Sequence, residues 1–467
     1  MTQRRAYIGI ATWLTLCAAA TAQEPKSKFA VLAPIGPSYI GMVQGLNGQL
    51  YSTTAGGVGG GRVFEITTGG KLTRVDALSG LSEGGLLLAT DGNFYGTTLK
   101  GGAHEGGRIF RVTPSGKLTN FYSFCAQADC ADGGFPSGAL MQGTDGNLYG
   151  TTTVGGPGCT EYDYECGTVF KITLQGEINT LYTFCHQAGC ADGGDPQGAI
   201  VQAGDGNFYG TASGGGTGGG GTIYRLTPTG TLTVLYSFCS TSGCADGDDP
   251  VGGLAAGPDG ALYGGTESYP TIFKITLDGT FQVLATLCPG PECGAAYAPP
   301  VPATDGYLYG TISGGGKNGE GTIYRITTSG GLTVLHSFCA LKDCNDGAQP
   351  MGPILQATDG NLYGTTYGIR GAGGAVVYKL SLGLAPFVTP VPAFGSSGQQ
   401  VSILGNDLTG ATAVSFNGTP AASFTVNSTG SAITATVPGG ATSGSIQVTL
   451  VDGTTTLTSN VQFQVLQ

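Results

Sequence analysis

The chain has 467 residues, only 10% of them charged, with 87 glycines and a formal net charge of −11. So charge-poor and apolar a composition excludes intrinsic disorder, and glycine without a triplet period excludes collagen. The acidic balance excludes nucleic acid as a partner, and the length leaves room for two or three domains.

In chain order, the first element is an export signal over residues 1–22. Arg4 and Arg5 precede an apolar stretch from Ala6 to Ala20, and Ala20-Thr21-Ala22 forms a small-residue cleavage site. The stretch is too short to cross a membrane and no longer one follows, so no membrane span is expected. Cys17 follows Leu16, a poor match to a lipid-attachment motif. Cleavage removes Trp13, the only tryptophan.

A turn-strand signature then recurs seven times. It begins with Asn47-Gly48-Gln49-Leu50-Tyr51 and Asp91-Gly92-Asn93-Phe94-Tyr95, and returns at Asp145, Asp205, Asp259, Asp305 and Asp359. Asp-Gly between apolar runs is a strong hairpin signal, because the tight turn needs positive φ. Each signature is followed by an aromatic strand such as Phe170-Lys171-Ile172-Thr173, then a glycine turn, then a strand such as Leu232-Thr233-Val234-Leu235-Tyr236. With the apolar run before each Asp-Gly, every unit holds four antiparallel strands, A to D. The seventh unit stops after strand C, near Leu382. Phe29-Ala30-Val31-Leu32-Ala33 matches the strand D sequence Phe281-Gln282-Val283-Leu284-Ala285. The fold class expected is therefore all-β: a seven-bladed β-propeller over residues 23–383, closed by an N-terminal strand that hides a sheet edge.

The ordered motifs DGNLYGTT, GTIYRIT and LTVLYSF resemble the GloVer tandem repeat of bacterial exported proteins, over roughly residues 29–382. The resemblance implies export and surface display and assigns no activity. Blade one departs from it, with Ser52 where glycine recurs and Glu65 where a base recurs. The repeat is also similar to that of streptogramin-lyase-like propellers. Tyrosine stands here where those carry tryptophan, and their histidine-bearing motif is missing. After a linker at 384–392, residues 393–467 change character. Val401-Ser402-Ile403-Leu404-Gly405 and Ala413-Val414-Ser415-Phe416 resemble the IPT/TIG family, which implies a small immunoglobulin-like β-sandwich used as a spacer or interaction module.

Beyond Cys17 there are twelve cysteines, and in an exported chain they read as six local disulfides. Five pairs lie between strand D and the next strand A: Cys125 with Cys130, Cys185 with Cys190, Cys239 with Cys244, Cys288 with Cys293, and Cys339 with Cys344. The sixth, Cys159 with Cys166, lies between strands B and C. All six fall on one propeller face, where variable loops on a rigid scaffold tend to carry function. The candidate ligand-binding loop is therefore Glu161, Tyr162, Asp163, Tyr164 and Glu165, whose tyrosines and carboxylates suit a sugar or a basic partner; a solvated insertion is the alternative reading. Asp132, Asp192, Asp246 and Asp346, with Asp195, Asp248 and Asp249 nearby, offer oxygens to calcium or cap their own turns. Six strand C bases (Arg111, Lys171, Arg225, Lys274, Arg325 and Lys379) are expected to pair with acids of the adjacent blade.

His104, His186 and His336 come from three blades and share no motif, so no catalytic residue is assigned. The glycine runs at Gly214–Gly221 and Gly314–Gly321 lack the lysine-serine pair of a phosphate loop. No cofactor is expected apart from that calcium. The reading reached is a monomeric, exported, non-enzymatic protein binding an extracellular glycan or protein. Its alternative is a polysaccharide hydrolase or lyase using carboxylates at the channel mouth.

Overall fold

The computed structural model describes residues 27–466 apart from 58–59, 79, 160–165, 288–293 and 369–373. The segment read as an export signal lies outside the described residues, as do Glu161, Tyr162, Asp163, Tyr164 and Glu165. The expected disulfide between Cys288 and Cys293 also falls there, so both Cys288 and Cys293 stand apart from the pairs described below. Among the described residues, seven four-stranded antiparallel sheets precede a sandwich of two four-stranded sheets and a two-stranded parallel pair. Helix is confined to short 3-10 turns, and no helix there is long and apolar enough to cross a membrane.

The third sheet shows how the repeat folds. Met141–Gln142, Leu148–Thr152, Thr168–Ile172 and Ile178–Thr183 are its strands A to D. Gly146 takes φ 81° in the A–B turn, and the Asp145 carboxylate accepts the Asn147 N–H at 3.1 Å, which fixes the turn locally. Strand B is buried throughout, as expected of a strand packed on both faces.

The Tyr149 hydroxyl donates to Asp145 Oδ2 at 2.8 Å, and Lys171 Nζ reaches the same oxygen at 2.7 Å. Burial opposes ionisation of Asp145, but hydrogen bonds led by Lys171 hold its carboxyl down at about 2. Lys274 pairs likewise with Asp259 and Lys379 with Asp359. These acids lie on the same sheet as the base, not on the adjacent one as expected. The reason is register: Tyr149 and Lys171 are cross-strand partners, so the Asp-Gly turn brings its carboxylate to both. The first sheet inverts the charges. Glu65 Oε1 accepts from Asn47 Nδ2 at 2.9 Å and from the Tyr51 hydroxyl at 3.0 Å, so Asn47 and Glu65 exchange the acid and the donor together.

Neighbouring sheets are joined by repeated polar contacts. Thr97, Thr151 and Thr311 each donate Oγ1 to a carbonyl of the following sheet (Gly138, Gly198 and Gly352) at 3.1 Å. Thr365 of the seventh sheet donates in the same way to Ile40, ahead of the first sheet, at 2.7 Å. Gln44 and Thr358 exchange two bonds of 3.0 Å between the first and seventh sheets. Strand Lys28–Pro34 is the fourth strand of the seventh sheet, pairing with Val376–Ser381. Its bulge between Val31 and Ala33 sits where strand D of the other six sheets opposes a register shift, such as that at Ile272/Phe273.

The C-terminal sandwich packs Val401, Ile403, Val414, Phe416, Ile433, Ile446 and Val448 between its sheets. Thr389–Val391, inside the stretch read as a linker, pairs with Gln400–Leu404 and so belongs to the sandwich. The sandwich rests on the A–B turn end of the repeat. Asn427 Nδ2 and Ser431 Oγ donate to the Leu46 carbonyl of the first sheet at 2.9 and 2.7 Å. Asn406 Nδ2 donates to Thr358 Oγ1 of the seventh at 2.8 Å.

Candidate functional site

The loop-bearing end carries the chemistry. Five disulfides are formed among the described residues: Cys125–Cys130, Cys159–Cys166, Cys185–Cys190, Cys239–Cys244 and Cys339–Cys344. The sixth expected pair, of Cys288 and Cys293, is not among them, because the connection that carries it lies outside those residues. Within each five-residue staple lies a 3-10 turn, and an aspartate two residues after it is buried. Asp192 Oδ2 accepts from the Tyr182 hydroxyl at 2.7 Å and from His186 N–H at 3.1 Å, while Oδ1 accepts from Gln187 N–H at 3.1 Å. Asp132 makes the equivalent three bonds with Tyr122, Ala126 and Gln127, and Asp346 accepts from Ala340 and Leu341. Asp246 adds the hydroxyls of Ser240 and Thr241; burial opposes its ionisation, but these donors hold its carboxyl at about 2. Oxygens facing so many N–H and O–H donors cap loops and offer no cage to a cation. Cys239, Cys244 and Asp248 lie close enough to hold a metal, but both sulfurs are in a disulfide.

Just beyond each cap the chain turns into strand A through a residue before proline: Phe135, Asp195, Asp249 and Gln349. All four take positive φ, between 49° and 64°. Helical φ/ψ is disfavoured before proline and the left-handed region costs a side-chain-bearing residue about 1 kcal/mol, so each must be held. Two backbone bonds hold Asp249: its N–H donates to Gly220 O at 3.0 Å, and its carbonyl accepts from Glu267 N–H at 3.0 Å. Asp195 is held the same way between Cys166 and Ser213.

This strained segment brings carboxylates of the fourth and fifth sheets to a tyrosine entering the sixth. Asp195 Oδ2 accepts from Gln197 Nε2 at 2.8 Å and Ser213 Oγ at 3.1 Å. Glu267 Oε1 accepts the Tyr297 hydroxyl at 2.8 Å. Burial, then the negative charges of Glu267, Asp248 and Asp195, push the Asp249 carboxyl up to about 6. Burial also raises Asp195 and Asp248. At the seam between the seventh and first sheets, on the same end, Tyr39 and Tyr367 stack with ring centres 4.6 Å apart. The half-buried rim thus offers planar hydrogen-bonding groups beside aromatic faces. It also offers one carboxyl that stays protonated to about pH 6 next to an acceptor, Glu267.

Of the residues singled out in the sequence, Asp195, Asp248 and Asp249 come together here. Glu267, Tyr297, Tyr39 and Tyr367 were not anticipated; the signal available was the residue-proline step that follows the capping aspartate in four of the connections. His104 and His186 are exposed, and His336 stacks on Phe29 at 3.7 Å, as Tyr236 does on Phe281 at 3.8 Å. A cavity of about 400 Å3 lies at the opposite end, lined by Leu86, Leu88, Leu355, Val391 and Leu404. Two of its polar side chains, Gln44 and Gln356, are already bonded to Thr358 and Thr304, so chemistry is better sought at the rim.

The Gloeobacter/Verrucomicrobia repeat model matches residues 37–270 and 264–411, and the IPT/TIG domain matches 386–465. No curated protein matches the chain. Among solved structures it is similar to a streptogramin B lyase at 18% identity and TM-score 0.51, over 76% of this chain and 97% of that one. It is similar also to a catalytically inactive virginiamycin B lyase from Staphylococcus aureus with quinupristin, at 19% identity and TM-score 0.51, over 76% and 99%. At such identities the likeness is one of fold.

Proposed function

The chain belongs to the Gloeobacter/Verrucomicrobia repeat family, and from that premise we propose an exported, non-enzymatic binding protein whose loop-bearing rim takes a glycan. Its seven sheets form a closed seven-bladed ring, completed by Lys28–Pro34 as the last fourth strand, and its IPT/TIG domain serves as a docking module. Closure is supported by the Thr365–Ile40 and Gln44–Thr358 bonds between sheets far apart in sequence. Export is supported by the formed disulfides, which persist in oxidising compartments. Glycan binding rests on one observation: left-handed residues held under strain gather Asp195, Asp249, Glu267 and Tyr297 into one rim. Carboxylates and amides suit sugar hydroxyls, and tyrosine rings suit sugar faces.

A second reading is polysaccharide hydrolysis or elimination, with Asp249 as general acid. It is favoured by the Asp249 carboxyl at about 6 beside Glu267. Depletion of the mature protein by insoluble polysaccharides, with released sugars assayed in the same tubes, separates the two. Depletion without product, weakened in Y297F, supports binding. Product that vanishes in D249N transfers the rim to catalysis. Neither depletion nor product removes glycans from consideration.

A further inference from the structure

Arg108 opens strand C of the second sheet, opposite Thr98 on strand B and Ser123 on strand D. At that register the third to sixth sheets carry Thr168, Thr222, Thr271 and Thr322. Two of those hydroxyls bond to a threonine at or just after the end of strand B, Thr168 to Thr152 at 2.7 Å and Thr271 to Thr266 at 3.1 Å, while those of Thr222 and Thr322 are buried without a partner among the described residues. Arg108 instead buries a guanidinium, with 8% of the residue exposed. Among the described residues its Nε and Nη2 have no hydrogen-bond partner.

An unpaired buried cation costs several kcal/mol, so this placement calls for an anion. The two orphaned donors are informative because they are the side-on pair of the guanidinium, two parallel N–H groups that match the two oxygens of a carboxylate. Among the described residues neither Glu105 nor Glu83 reaches Arg108 Nε or Nη2. Glu105 is exposed, and the half-buried Glu83 is raised by burial alone, with no sign of the arginine. Connections into the third, fourth, fifth and seventh sheets each bury an aspartate (Asp132, Asp192, Asp246 and Asp346). The connection into the second sheet has neither a staple nor an aspartate, and it passes over this register: a Cβ on Gly80 would stand 3.2 Å from Thr98 Cβ.

We infer that Arg108 is a carboxylate-binding site, taking a ligand carboxylate side-on through Nε and Nη2. The carboxylate comes from a small organic acid or from the uronate of an acidic sugar. The site is separate from the Asp249 rim and does not depend on the glycan reading.

The test is thermal unfolding of the mature protein in sodium acetate, sodium glucuronate and sodium chloride at matched ionic strength, with R108T and R108K alongside. R108T installs the residue that four other sheets carry, and R108K keeps the charge without the fork. At ten times Kd the natural chain should gain a saturable rise of roughly 2 °C over chloride. Both variants should lose it. A rise with glucuronate alone identifies a sugar acid, and one with both acids identifies a carboxylate of any small ligand. Equal midpoints in all three salts, or the same rise in R108T, would overturn the site. Should R108T fail to fold, an undiminished rise in R108K would overturn it equally.

Discussion

Replacing Asp192 with asparagine keeps the side chain's shape but removes the charge toward which a hydroxyl and two backbone N–H groups point. Asp192 is fully buried, so water cannot stand in for the lost acceptor. A hydrogen bond to a charged group is worth about 1 kcal/mol more than a neutral one, and asparagine also turns an N–H toward donors. Three weakened bonds give a loss of about 3 kcal/mol. For a repeat unit of roughly 350 residues the unfolding entropy near Tm is about 0.7 kcal/mol/K, which converts the loss into a Tm lowered by about 4 °C. Differential scanning calorimetry of the oxidised protein measures this directly. A shift under about 1 °C would refute the reasoning, because it would mean that the stapled loop does not depend on its cap.

Two further outcomes follow from the geometry. The fold raises the Asp249 carboxyl from 3.8 to about 6, so the folded state favours its protonated form. That contribution is present below about pH 4 and is lost as pH rises through 6. D249N should therefore be about 1 kcal/mol more stable than the natural chain at about pH 7, after allowing for solvent screening, and no more stable at about pH 4. Urea midpoints at the two pH values decide it, and an equal difference at both would count against the shift. Deleting residues 27–36 strips the fourth strand from the seventh sheet and bares Val376–Ser381 as an edge. Size-exclusion chromatography should then show self-association; a monodisperse monomer would argue against ring closure.

Much of the fold was legible because its determinants are local. The Asp145-Gly146-Asn147 turn carries its own hydrogen bonds within three residues, so each repeat declares a hairpin wherever it occurs. The N-terminal strand was legible because Phe29 to Ala33 repeats a strand D pattern, and it reproduces the bulge of that strand as well. The rim was less legible. Asp195, Asp249 and Tyr297 occupy comparable stretches of three successive units, and at Asp195 and Asp249 the chain turns through positive φ, which the sequence does not announce. The strand C bases were misassigned to neighbouring blades because the Asp145–Tyr149–Lys171 contact closes across one hairpin, which spacing alone does not distinguish. Arg108 passed unnoticed since a base is unremarkable in sequence; its meaning lies in the loss of solvent around it.

The placement of the C-terminal sandwich has a mechanical consequence. Its contacts reach Leu46 on the first sheet and Thr358 on the seventh, the two sheets joined by the N-terminal strand and the Gln44 amide. A pulling force on the sandwich therefore enters the repeat unit on both sides of its seam at once. The tension is divided between two sheets held together by a strand register and side-chain bonds, which must shear as a group. A chain fastened through that sandwich in flowing liquid would load this junction first.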